Sequence, residues 1–275
     1  MAEKQKEHVD PPDSKAQTNE QKYVQTYQKR ENDDYGYSLF PNRSAGKVPE
    51  EEQPGLFKIL KTGDFWSYAT YSPAHHQRCR TLVRYCTDHD DRVKMMMRAL
   101  KAHGCPVDVN RHIYCEPCKL KMSGGFDFFN NQVVVCQNVI KNRAACCNVL
   151  SHEMLHAFDH CRAKLDISNI EHMACTEVRA ANMFHCTLVS AFANGEAKPW
   201  NYLNRHVNCV KRKAMTSIMV VRNVTEQEAS DAVDKVFNRC YNDLEPFGRR
   251  IRKGTDDDEK SLKEGILYGY MDKEQ

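Results

Sequence analysis

The sequence predicts an α+β fold, mostly helical, in which one buried helix packs on a small β-hairpin. Three observations carry this. Residues 144–161 hold only two acids, Glu153 and Asp159, in an otherwise uncharged and largely apolar run, as expected of a helix surrounded by protein. Just ahead of that run, Phe126-Asp127-Phe128-Phe129 and Gln132-Val133-Val134-Val135-Cys136 flank Asn130-Asn131, which reads as two strands and their turn. Elsewhere apolar residues recur at i, i+3, i+4 and i+7, the spacing of one helix face.

In chain order, residues 1–54 are polar and poorly periodic, with Pro11-Pro12 and Glu50-Glu51-Glu52. They are expected to form a disordered extension, because so little apolar surface cannot offset the entropy of ordering. Tyr23, Tyr27, Tyr35 and Tyr37 are its candidates for a docking motif. The folded domain is expected over 55–250. Residues 56–60 and 65–68 are apolar enough to pack on its edge. Cys79, Leu82, Val83 and Cys86 define one helix; Val93, Met96, Met97 and Leu100 define a second, with Asp90 as its cap and Gly104 as its stop. After the hairpin comes the helix of 144–161, then a turn through 166–169 and a helix over 171–184. Thr225-Glu226-Gln227-Glu228 is a capping box opening a helix with Ala229, Val233, Val236, Phe237 and Cys240 on one face. Residues 251–275 are charged and expected to be a mobile tail.

Of 275 residues, 41% are hydrophobic and 28% charged, the balance of a globular chain. No apolar run approaches the ~20 residues of a membrane-spanning helix. The formal charge of +3 is too weak to point to nucleic acid. The first residues have neither the apolar core of a signal peptide nor the acid-poor, arginine-rich character of a transit peptide. Lys211-Arg212-Lys213 reads as a solvated helix face or as a contact with a membrane surface. Thirteen cysteines are unusual. Cys115-x-x-Cys118 finds no second such pair, and the rest are scattered, which favours disulfides over a compact metal cluster. Since thirteen is odd, at least one thiol stays free.

The chemistry centres on His152-Glu153-Met154-Leu155-His156. On a helix the two histidines lie one turn apart on one face, the two-ligand grip on one Zn2+ ion. Glu153 projects about 100° round the helix from His152, so it overhangs the metal and serves as proton acceptor and donor for peptide hydrolysis. The third ligand is expected to be Glu177. It shares an inward stripe with Met173, Ala174, Ala180, Ala181 and Phe184, where a carboxylate needs a partner. His172 is the competitor; His160 lies about 12 Å along the helix from His152, too far to share an ion. Asp159, one turn after His156, is either an orienter of that ligand or a surface acid. The hairpin either holds substrate as an added strand or is part of the core. These residues read together as a zincin-like zinc endopeptidase.

Several runs resemble the mitochondrial inner-membrane metalloproteases that process subunit 6 of ATP synthase and assist its assembly. They are Ser123-Gly124-Gly125-Phe126-Asp127, Cys136-Gln137-Asn138, the stretch from His152 to Ala163, that from His172 to Asn182, and Asn242-Asp243-x-Glu245-Pro246-Phe247-Gly248-Arg249. The resemblance covers roughly residues 75–250. It implies a zinc protease on the intermembrane-space side of the inner membrane, peripherally associated, imported without a cleaved presequence, held by disulfides, and acting on an ATP synthase subunit precursor. A non-proteolytic assembly scaffold is the alternative; vertebrate relatives also carry a name as Ku-binding proteins, which keeps a DNA-repair role open. The long N-terminal extension and Cys146-Cys147 depart from the family pattern.

Overall fold

The computed structural model describes residues 36–40, 43, 72–119, 122–186, 202–252, 255–265 and 267–270. All described residues belong to one compact unit, Asn32–Gln275. Most of the N-terminal extension, its tyrosines other than Tyr37, the apolar runs at 56–60 and 65–68, and Pro199-Trp200 lie outside the described residues.

The elements follow the order α1 (Pro73–His89), α2 (Asp91–Ala102), a one-turn α3 (Val109–His112), β1 (Ile113–Glu116), β2 (Gly124–Asp127), β3 (Gln132–Cys136), α4 (Arg143–Arg162) and α5 (Ile170–Ala180). Helix α5 runs on into a π-turn (Ala181–His185); α6 (Tyr202–Val221), α7 (Glu226–Asn242) and α8 (Asp257–Glu264) complete the fold. Their ends obey local chemistry. The Asp90 carboxylate accepts from the amides of Arg92 and Val93 at the start of α2. Past that helix Gly104 sits at φ +84°, where a side chain would be strained, and Cys105 N–H reaches back to the Leu100 carbonyl at 2.9 Å. Asn142 and Asn169 cap α4 and α5, and Thr225 with Glu228 forms a complete capping box on α7.

The three strands form a mixed sheet of order β1-β3-β2. The expected hairpin is its antiparallel half, with Gly125 opposite Val134; β1 adds a parallel strand, with Ile113 opposite Val133. Phe126, Val133 and Val135 join α1, α2 and α4 in the main core, where Met96, Leu100, Leu150, Met154 and Phe158 are at most 2% exposed. Val134 and Cys136 face the other way, against Phe40. A Cβ on Gly125 would stand 2.5 Å from the Phe40 ring, so glycine here admits that ring onto the sheet. Arg43 lies beside it, paired with Glu116 at 2.6 Å and with Asp127, across the ends of β1 and β2. Part of the segment expected to be disordered is thus a packed strap, since a buried aromatic and a buried ion pair anchor it.

A second core joins α5, α6 and α7 through Ala174, Val178, Val210, Ile218, Val233 and Phe237. The tail expected to be mobile is also packed: Ile251 and Tyr270 enter the main core, and α8 lies against α2. Its charge is largely matched internally, as in the Arg252–Asp257 pair at 2.7 Å, so the charge pattern did not mean solvation.

Twelve cysteines pair as 79–115, 86–147, 105–161, 118–136, 175–240 and 186–209, and Cys146 alone is free and buried. The Cys115-x-x-Cys118 run is split between two bridges. Three bridges pin α1 to β1, α1 to α4, and α5 to α7; loops of this size each contribute roughly 2–4 kcal/mol. Among the described residues no helix is long and apolar enough to cross a membrane.

Candidate metal centre

Helix α4 passes between the sheet and α5, so residues one turn apart on it face the same cleft. His152 and His156 do so, with their Nε2 atoms 3.1 Å apart. Across from them, the Glu177 carboxylate on α5 places Oε1 3.6 Å from His156 Nε2 and Oε2 3.9 Å from His152 Nε2. One donor atom from each of the three lies within 4.8 Å of the others. In tetrahedral coordination with bonds of about 2 Å, donor atoms are separated by roughly 3.3 Å, so this set fits one small divalent cation. Two imidazoles and a carboxylate are also the donor chemistry such an ion prefers. His172 is not part of the group; it lies in the first turn of α5, its Nδ1 accepting from the Asp166 amide at 3.1 Å. His160 packs edge-on against Phe128 instead, 5.6 Å between ring centroids.

Electrostatics keep the imidazoles neutral and available. Burial, then His185 and His156, hold His152 well below its ordinary value. Burial, with His185 and Arg179, holds His156 down to about 3. Burial pushes Glu177 up to about 7, opposed by a hydrogen bond from Ser217 on α6. Glu153 is 7% exposed, and burial together with the Glu177 charge raises its carboxyl well above the usual range. A cation among the three donors would relieve both carboxylates.

Each histidine is also held from behind. His156 Nδ1 meets Thr176 Oγ1 at 2.8 Å. His152 Nδ1 meets His185 Nε2 at 2.8 Å. His185 was not expected from the sequence, and the π-turn explains why. On a regular helix it would lie about 80° round from Glu177; the wider π-turn rotates less per residue and returns it to the cleft. Desolvation and the nearby Lys213 ammonium hold its imidazole down to about 4, although part of the ring is open to solvent.

The cleft encloses about 310 Å³. Phe40, Met122, Gly124 and Phe126 form the sheet side, and Lys213, Thr216, Ser217 and Val220 of α6 form the other. Lys213, expected on a solvated face or at a membrane surface, therefore contributes to the cleft wall. On the sheet side, β2 is the outer strand. Its register is fixed by the 3.0 Å bond from Cys136 N–H to the Ser123 carbonyl. Antiparallel strands bond through alternate residues, so Gly125 and Asp127 turn towards β3, while Gly124 and Phe126 turn their N–H and C=O groups outward. Both outward residues line the cleft. A Cβ on Gly124 would come within 2.4 Å of Val149 and 3.5 Å of Glu153 Cγ, so this strand lies directly on the helix that carries the histidines.

The model of the peptidase M76 family matches residues 77–248. The chain is 40% identical over 213 residues to the human mitochondrial inner membrane protease ATP23 homolog, covering 77% of this chain and 79% of that one. It is 38% identical over 223 residues to the Xenopus laevis homolog, covering 80% and 88%. The protease of the same name from Schizosaccharomyces pombe is 31% identical over 173 residues, covering 62% and 91%. No solved structure matches.

Proposed function

This chain belongs to the peptidase M76 family, and from that premise we propose that it is a zinc-dependent endopeptidase with a zincin-like site. The observation that carries this reading is the convergence of His152, His156 and Glu177, with Glu153 buried beside them in a cleft walled by the outer strand β2. The relatives are named mitochondrial inner membrane proteases, and this chain is a protease of that membrane. We place it peripherally on the intermembrane-space side, where six disulfides suit an oxidising compartment. Its substrate is a polypeptide, and the family resemblance favours the N-terminal segment of an ATP synthase subunit precursor.

His152, His156 and Glu177 would hold one zinc ion and leave a coordination position open. When bound, zinc supplies Lewis acidity towards a peptide carbonyl and towards water. Glu153 takes the proton of the attacking water on a carboxylate oxygen and passes it to the departing amide nitrogen. Burial and the Glu177 charge raise the affinity of Glu153 for protons; a cation held by His152, His156 and Glu177 would lower that affinity, so that the ionised carboxylate is present to accept the proton and can release it again. The outward groups of Gly124 and Phe126 align the substrate as an added strand, so that the scissile bond runs past Glu153.

Glu153→Gln tests the proposal, because it preserves shape and removes the proton carrier. Peptide cleavage should fall by about 10²–10⁴-fold, with one zinc still bound and the fold unchanged. Unaltered cleavage would refute the assignment. If the inactive variant still supported assembly of ATP synthase, assembly would belong to the surface of the protein and not to its proteolysis.

A further inference from the structure

We propose that Thr176 is a positioning residue that fixes the proton of His156 on Nδ1, as the last link of a buried relay anchored in residues 243–245. It rests on the metal site proposed above and goes beyond it by assigning work to residues that supply no metal ligand. Thr176 Oγ1 lies 2.7 Å from Asp159 Oδ2 and 2.8 Å from His156 Nδ1. A carboxylate can only accept, so the single threonine proton goes to Asp159. The hydroxyl oxygen must then accept from His156 Nδ1–H, which leaves the lone pair of Nε2 facing His152 and Glu177.

Both oxygens of Asp159 are taken by donors. Oδ1 receives Arg162 Nε at 3.0 Å and also Arg179, whose side chain is 1% exposed. The two arginines in turn are held by one short segment. Arg162 donates to Asp243 Oδ2 at 2.5 Å and to Glu245 Oε2 at 2.6 Å. Arg179 donates to the Asp243 carbonyl at 3.3 Å and to the Glu245 carbonyl. Tyr270 closes the far side, its hydroxyl 2.7 Å from Glu245 Oε1. The run Asn242-Asp243-x-Glu245, more than eighty residues from His156 in sequence, is thereby tied to that ligand through Thr176, Asp159 and the two arginines.

Among the described residues His152 has no equivalent constraint. Its Nδ1 partner is the imidazole of His185, which can donate or accept, so this pair can exchange proton positions while His156 cannot.

The experiment uses the full, disulfide-intact chain. Zinc affinity is measured by chelator competition for wild type, Thr176→Val and Thr176→Ser, and the 15N shifts of His156 are recorded on metal-free wild type near pH 7. We expect about 10–100-fold weaker zinc binding in the valine variant, affinity near wild type in the serine variant, and a His156 proton on Nδ1. Valine binding zinc as tightly as wild type would overturn the proposal, as would serine binding as weakly as valine. A His156 proton on Nε2 would overturn it without recourse to any variant. Failure of wild type to bind zinc would sink the metal reading, and the proton position would still decide the relay.

Discussion

Gly124 and Glu153 belong to different elements, yet a Cβ on the glycine would lie 3.5 Å from Glu153 Cγ, 2.4 Å from Val149 and 2.8 Å from the Val134 carbonyl oxygen. The strand edge and the proton carrier are therefore one construction, brought together because residue 124 has no side chain.

Gly124→Ala should push β2 away from α4, since two of those distances are too short for any real Cβ contact. We expect kcat/KM for a peptide to drop by at least about tenfold, in line with the sensitivity of oriented reactions to displacements near 1 Å. Zinc affinity should change much less, because none of the three ligands is on β2. Equal losses in both would show that the substitution damages the whole fold and not the alignment of substrate.

The thiol inventory is equally definite. With one free and buried cysteine, the native protein should take up no alkylating reagent at Cys146. Unfolding without reductant should expose one thiol, and unfolding with reductant thirteen. Burial pushes the Cys146 thiol up to about 12, which slows its reaction further. Two or more thiols reactive before reduction would contradict the pairing.

The docking of α8 should depend on pH. Burial pushes Asp258 up to about 6, with Arg92 opposing and Asp90, Asp91 and Asp257 adding to the rise. A carboxyl whose folded value is raised favours the folded state fully below its unfolded value of 3.8, and that contribution fades as pH rises through about 6. Amide exchange in α8 should therefore quicken between pH 4 and pH 7 beyond the intrinsic rate. Asp258→Asn should remove this extra dependence; its persistence in that variant would place the titration elsewhere.

Much of this arrangement was legible in the sequence where a strong local rule operated. The apolar run of 144–161 and the two histidines one turn apart located α4 and two candidate ligands. The inward stripe around Glu177 identified an acid that the fold brings to those histidines. Asn130-Asn131 marked the hairpin turn, where Asn131 adopts φ 53°. What escaped had no local signature. Strand β1 is four residues long and exists through parallel pairing with β3. Phe40 and Arg43 sit in polar sequence, and their burial depends on a glycine and two acids from distant strands. His185 reaches the cleft only because a π-turn breaks the regular helical spacing. Thr176 carries no signal in the sequence, because its role depends on His156 and Asp159, its neighbours in space.

The most direct test of the account is the zinc content of the intact protein by native mass spectrometry, with thiols blocked before purification, for wild type, Glu177→Gln and His172→Ala. One zinc per wild-type chain is expected, retained in the His172 variant and lost or weakened at least about tenfold without Glu177. Zinc held equally well after Glu177→Gln, or no zinc in wild type, would contradict it.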